Sequence, residues 1–178
     1  MLRGQLGSDA WNPAVWPTGS YVVLLDGIPE QIDLKEAQRN IARHYRIGPA
    51  LRGYDDPSYR HEVQAFEGVG LRPLSPCHIR ARDIGGGTLL FNWIRRTRIG
   101  GDGWEGHDVP LGEESEAYVL RVVTTNGVVR EVELGAASWI YSQEARNTDG
   151  VTGDYEVRVA QVSALYGAGA FAALALSA

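Results

Sequence analysis

The sequence predicts an all-β protein, a small β-rich domain followed by a β-sandwich. Three observations predict it. The 22 glycines and 8 prolines are spread along all 178 residues. Few stretches therefore run beyond about a dozen residues without a breaker, a spacing that suits short strands and not helices of ordinary length. In the second half, apolar residues recur at every other position, the period of a strand with one buried face. Asn126-Gly127 sits between two such runs and reads as a hairpin turn.

The elements follow in order. Residues 1–19 are punctuated by Gly4, Gly7, Pro13, Pro17 and Gly19, and form an irregular docking arm that carries Trp11 and Trp16. A small β-rich domain is expected over residues 20–73. In it, SYVVLLDG (20–27) reads as a strand buried on both faces. DLKEAQRN (33–40) reads as one or two helical turns, capped by Asp33 with Glu36 completing a capping box. IARHYRIG (41–48) and HEVQAFEG (61–68) read as strands around the turn cluster GYDDPSYRH (53–61). VGLRPLSP (69–76) reads as a linker.

The sandwich is expected over residues 74–178. CHIRARD is short and extended, and the three glycines 85–87 make a turn. TLLFNWIRR places Leu89, Phe91 and Trp93 on one face. EAYVLRVVTT does the same with Tyr118, Leu120 and Val122, and VVREVEL with Val128, Val132 and Leu134, Arg130 being the odd member. SWIYS, DYEVRVAQVSAL and FAALALS supply the last strands, with Tyr155, Val157 and Val159 together. About seven strands over roughly a hundred residues is the count of a two-sheet sandwich.

Composition bounds the function. Hydrophobic residues make up 44% and charged residues 22%, so a core of useful size is possible. The net charge of −5 argues against a nucleic-acid grip over the whole surface. Lys35 is the only lysine. The arginine bias suits interface contacts, and a GC-rich genome produces it equally well. Cys77 is the only cysteine, so no internal disulfide forms. The longest apolar run, AGAFAALALSA, is far shorter than the ~20 residues of a membrane helix. No basic-then-apolar leader opens the chain. The expectation is a chain made in the host cytoplasm, without a signal peptide and without membrane insertion.

No coherent active site emerges. Gly101-Asp102-Gly103-Trp104-Glu105-Gly106 has the G-x-G-x-x-G spacing. A dinucleotide loop needs a helix opening within it; here Val109-Pro110-Leu111-Gly112 follows, and Asp102 and Glu105 would repel phosphate. Arg95, Arg96 and Arg98 form either an anion patch or, more simply, partners for Glu113, Glu114 and Glu116 across the loop. Asp102, Glu105, His107 and Asp108 match no calcium-loop spacing. His44, His61, His78 and His107 are scattered and lack zinc-site spacing. A cell-wall hydrolase would need two carboxylates facing a cleft, and its donors would be Asp55, Asp56, Asp102, Glu105 and Asp108, all in turns. The expectation is a protein with no catalytic residues, no cofactor and no metal.

The segment WIRRTRIGGDGWEGHDVPLGEESEAYVLRV, from Trp93 on, resembles the C-terminal region of the host specificity tail proteins of phages and gene transfer agents. These are large baseplate hub proteins with a TIM-barrel-like domain further upstream. The similarity continues through LRGQLGSD (2–9), GSYVVLLDG (19–27), HYRIGPA (44–50), DDPSY (55–59), GVGLRPLSP (68–76) and VAQVSALYGAGAF (159–171). GDxWE followed by VPLGEExEAY is its most specific part. In that family the region ends a much longer polypeptide, whereas Met1 opens this one, so the resemblance implies a separately encoded piece or a truncated chain.

The resemblance further implies a fibronectin type III-like sandwich. Phe91, Trp93, Tyr118 and Tyr155 would be structural core, Trp93 as the core tryptophan of the second strand. Tyr155 would be a corner tyrosine whose hydroxyl bonds back to the chain. The implied role is structural: a tail-tip or baseplate component of the virion, linking the central hub protein to peripheral tail fibres or host-recognition parts, in symmetric copies. Trp11, Trp16, Arg95, Arg96, Arg98 and Trp104 are the candidate partner interface. The alternative is a carbohydrate-binding module, with Trp11, Trp16, Trp104 and Trp139 stacking on a host surface glycan.

Overall fold

The computed structural model describes residues 15–22, 27, 32–101 and 109–177. They form two compact units, residues 15–69 and 70–177.

The first unit is built on one hairpin, β1 (Ala42–Ile47) antiparallel to β2 (Arg60–Ala65), with Ala42 opposite Ala65 and Ile47 opposite Arg60. Tyr59 organises the connecting turn. Its hydroxyl donates to the carbonyls of Pro49 (2.9 Å) and Arg52 (3.3 Å), and its ring lies where a Cβ on Gly48 would be, so only glycine fits there. Asp56 accepts from Ser58 N and Oγ, an Asx turn that holds its carboxyl below the usual range. None of the described residues of this unit is buried, so among them there is no core.

Two expectations change in this unit. Tyr21 and Val22 are not in a strand and are almost fully exposed; the remainder of that expected strand, 23–26, lies outside the described residues. The expected helix is a single 3-10 turn, Glu36–Gln38. Lys35 and not Asp33 precedes it, and Lys35 N donates to Gln38 Oε1.

The second unit is a β-sandwich. One sheet has the order β3 (Cys77–Asp83), β4 (Leu89–Ile94), β7 (Ser138–Tyr141). The other runs β10 (Ala172–Leu176), β8 (Tyr155–Ser163), β5 (Tyr118–Thr124), β6 (Gly127–Leu134), with the short β9 (Gly167–Ala168) beside β8. All pairings are antiparallel. The inward faces meet in one core of Phe91, Trp93, Tyr118, Leu120, Val122, Tyr141, Tyr155, Val157 and Val159. Trp93 meets Tyr118 edge-on across the two sheets, ring centroids 5.3 Å apart.

The unit begins a few residues before the expected boundary because the proline segment belongs to it. Pro73 and Pro76 are buried, and Gly169 packs so tightly on the Pro73 carbonyl that a side chain there has no room. All three glycines of the 85–87 turn have positive φ. The β5–β6 hairpin turns on Thr125 and Asn126, one residue earlier than expected, and Gly127 alone takes the positive φ (107°). The register shift beside it turns Val128 out to 55% exposure, so Val129 takes its place against the core. Arg130 stays on the core side, where Asp149 meets it. That aspartate ends α1 (Gln143–Thr148), a short helix the sequence reading left unassigned, capped by the Ser142 hydroxyl accepting from Ala145 N.

Candidate functional site

The segment that carries the family resemblance is the crossing from β4 to β5, and most of its charges are spent inside the unit. Ile94 ends β4, and the three arginines diverge from there. Arg95 donates to the Val109 carbonyl (2.6 Å) and lies 3.8 Å from Glu116. Arg96 turns the other way and grips Ser75, Nε to its carbonyl (2.6 Å) and an NH2 group to its hydroxyl (2.5 Å). Arg98 holds Glu113 in a bidentate pair at 3.0–3.2 Å, with a Glu113 side chain only 4% exposed, and faces the Tyr166 ring.

The acids divide the work similarly. Among the described residues, Glu114 pairs with no arginine. It accepts from the Ser163 hydroxyl and from Ala164 N, fixing the turn after β8. Its own backbone N–H, and then these donors, hold its carboxyl below the usual range against a partial desolvation that opposes them. Glu116 accepts from the Tyr118 hydroxyl at 2.9 Å. Burial first, then that carboxylate, pushes the Tyr118 phenol well above its ordinary range. Gly100 and Gly112 have positive φ, and a Cβ on Gly112 would sit 2.9 Å from the Thr97 hydroxyl. The crossing thus needs Gly100 and Gly112 for backbone shape.

Of the expected interface, Arg95, Arg96 and Arg98 therefore brace their own scaffold. Trp16 is 57% exposed. Trp11 and Trp104 lie outside the described residues, as do Asp102, Glu105, His107 and Asp108. Trp139 stacks on Tyr141, centroids 4.6 Å apart, and contacts Phe91, so it packs partly buried against the core.

Phe91, Trp93, Tyr118 and Tyr155 all lie in the core. The corner role expected of Tyr155 is not taken. Its buried hydroxyl makes no hydrogen bond to the main chain and faces the Arg146 guanidinium, which itself bonds the Gly87 carbonyl. Arg146 is supplied by the helix α1.

Among the described residues, no three His, Cys, Asp or Glu side chains converge on a metal-binding point. Asp55 and Asp56 lie in a turn, Asp55 exposed and Asp56 holding the Ser58 N–H and hydroxyl with its carboxylate. The sequence reading did miss one pair. His44 and His61, treated as scattered, come together at 2.9 Å between ring nitrogens. The signal lay in the register: once the two strands around the 53–61 turn are paired, these positions become diagonal neighbours.

No family model matches the chain, and no curated protein matches it. Among solved structures, it is similar to domains d3–d4 of the rat CD45 extracellular region, with 10% identity over 94% of this chain and 79% of that one, at a TM-score of 0.43. It is also similar to the FN5 domain of Drosophila Lar, with 14% identity over 59% of this chain and 95% of that one, at a TM-score of 0.33. The strand order β3–β4–β7 against β10–β8–β5–β6, and not these likenesses, defines the fold as a fibronectin type III-like sandwich.

Proposed function

We propose that this chain is a non-catalytic structural component of a phage or gene-transfer-agent tail tip, linking a central hub protein to peripheral fibres or host-recognition parts. One observation carries the reading. The segment of closest resemblance, Trp93 to Tyr118, uses Arg95, Arg96, Arg98, Glu113, Glu114 and Glu116 to tie the crossing between sheets, where a ligand loop would present them outward. That is what a scaffold requires. The first unit adds a second support: with none of its described residues buried, its hairpin is the kind of element that gains order from a neighbouring chain. Tail symmetry then sets the copy number. Exposed Trp16 is the described residue best placed to anchor a partner.

The test is composition and position. Purified tails or gene-transfer-agent particles are expected to contain this chain at a fixed copy number, and a tail-tip reconstruction to place it beside the hub. Absence of the chain from purified particles would end the reading.

A further inference from the structure

We propose that His44 and His61 form a solvent-open, two-imidazole site for a borderline divalent cation, copper(II) before nickel(II) or zinc. The two residues lie on adjacent antiparallel strands and share a face, since His44 is opposite Val63 and His61 is two residues before it. Nδ1 of His44 is 2.9 Å from Nε2 of His61. The ring planes are within 9° of parallel and the centroids 5.1 Å apart. Face-to-face rings do not bring nitrogens that close, because packed ring atoms settle about 3.5 Å or more apart. The rings therefore meet edge to edge, with one nitrogen donating its proton to the other's lone pair.

That separation fits a particular metal geometry. Two metal–nitrogen bonds of about 2.0–2.1 Å meeting at a right angle span about 2.9 Å. A tetrahedral angle would need about 3.3–3.4 Å. Right-angle positions belong to the tetragonal sites that copper(II) and nickel(II) favour, and copper(II) leads the affinity order for nitrogen ligands. Both side chains are exposed, so each ring can swing until its lone pair points at a shared ion. The donated proton moves to the outer nitrogen of the same ring. Both imidazoles stay neutral and no net proton is lost. Water fills the remaining positions. Arg46 shares the face, opposite His61, and the face holds no carboxylate. Its charge opposes a cation and sets the affinity below that of a pair flanked by acids.

The test uses the full-length, untagged chain titrated with copper(II) chloride near pH 7.5, read by calorimetry and by electron paramagnetic resonance. One ion per chain is expected, with a spectrum split by two imidazole nitrogens. His44→Ala and His61→Ala should each weaken binding at least tenfold, His78→Ala should leave it unchanged, and Arg46→Gln should tighten it several-fold. Zinc should bind more weakly than copper. A spectrum with one imidazole or none, or equal binding by the wild type and both histidine variants, overturns the site. The spectrum is read on the wild type, so a variant that fails to fold does not blunt the result.

Discussion

The Tyr141 hydroxyl donates a 2.5 Å hydrogen bond to the carboxylate of Asp149, eight residues further along and just past α1. Arg130 closes on the same carboxylate from the other sheet, Nε to one oxygen at 2.5 Å and an NH2 group to the other at 2.8 Å. One acid thus joins β7 of the three-stranded sheet to β6 of the five-stranded one. Its side chain is 7% exposed, so the pair is largely shielded from solvent. Asp149→Asn should destabilise the sandwich by about 2–3 kcal/mol, because it leaves Arg130 unneutralised and the Tyr141 hydroxyl poorly matched. Thermal unfolding should show a drop of roughly 8–20 °C for a domain of this size.

The same site sets a pH dependence. Arg130, and after it the Tyr141 hydroxyl, hold the Asp149 carboxyl below its ordinary value. A depressed carboxyl contributes stability that is fully present above the unfolded value of about 3.9 and is lost as pH falls through the lower folded value. Urea unfolding of the wild type should therefore weaken from about pH 4 downward. Asp149→Asn should flatten that part of the profile. An unchanged acid limb in the variant would assign the effect to other carboxylates.

Arg98 and Glu113 should couple. Glu113 is nearly buried, so Arg98→Ala strands its charge and should cost about 2–3 kcal/mol, while Arg98→Ala with Glu113→Gln should cost less than the two single changes together. A double-mutant cycle by chemical unfolding measures the difference. Additive values would mean that the pair does not hold the crossing.

Gly169 is a packing requirement. A Cβ there collides with the Pro73 carbonyl, a backbone group that cannot swing aside. Gly169→Ala should cost at least about 2 kcal/mol, and the denaturant midpoint should fall with little change in slope.

Gln161 should be replaceable at a profit. It is fully buried opposite Tyr118, and among the described residues neither its side-chain Nε2 nor its Oε1 has a hydrogen-bond partner. Gln161→Met keeps the length and removes two unpaired polar atoms, so it should stabilise the sandwich by about 1–2 kcal/mol in the same unfolding assay. Loss of stability would mean that the amide serves a purpose not met by packing alone.

The strand content was legible because it is written locally. Alternation at Leu89, Phe91 and Trp93, or at Tyr155, Val157 and Val159, needs only a period of two and a core to face, and each of these residues packs in or against the core. The crossing arginines were half legible. Complementary charge picked out Glu113 and Glu116 as partners, but nothing local shows that Arg96 reaches back to Ser75 or that Glu114 serves the turn after β8. Those bonds join positions 21 and 49 or more residues apart. The SYVVLLDG strand failed where it can be seen, at Tyr21 and Val22, because an apolar run becomes a strand only when a neighbour pairs with it.

The sequence by itself determined the all-β class, the order of the sandwich strands along the chain and most of the residues that fill its core, since an alternating pattern is set by neighbours along the chain. Only the tertiary structure decided which sheet each strand joins, that one bulge turns Val128 outward and Val129 inward, that Asp149 binds the two sheets, and that His44 meets His61. Each of these depends on register between distant segments, and a shift of one residue reverses the face that every side chain presents.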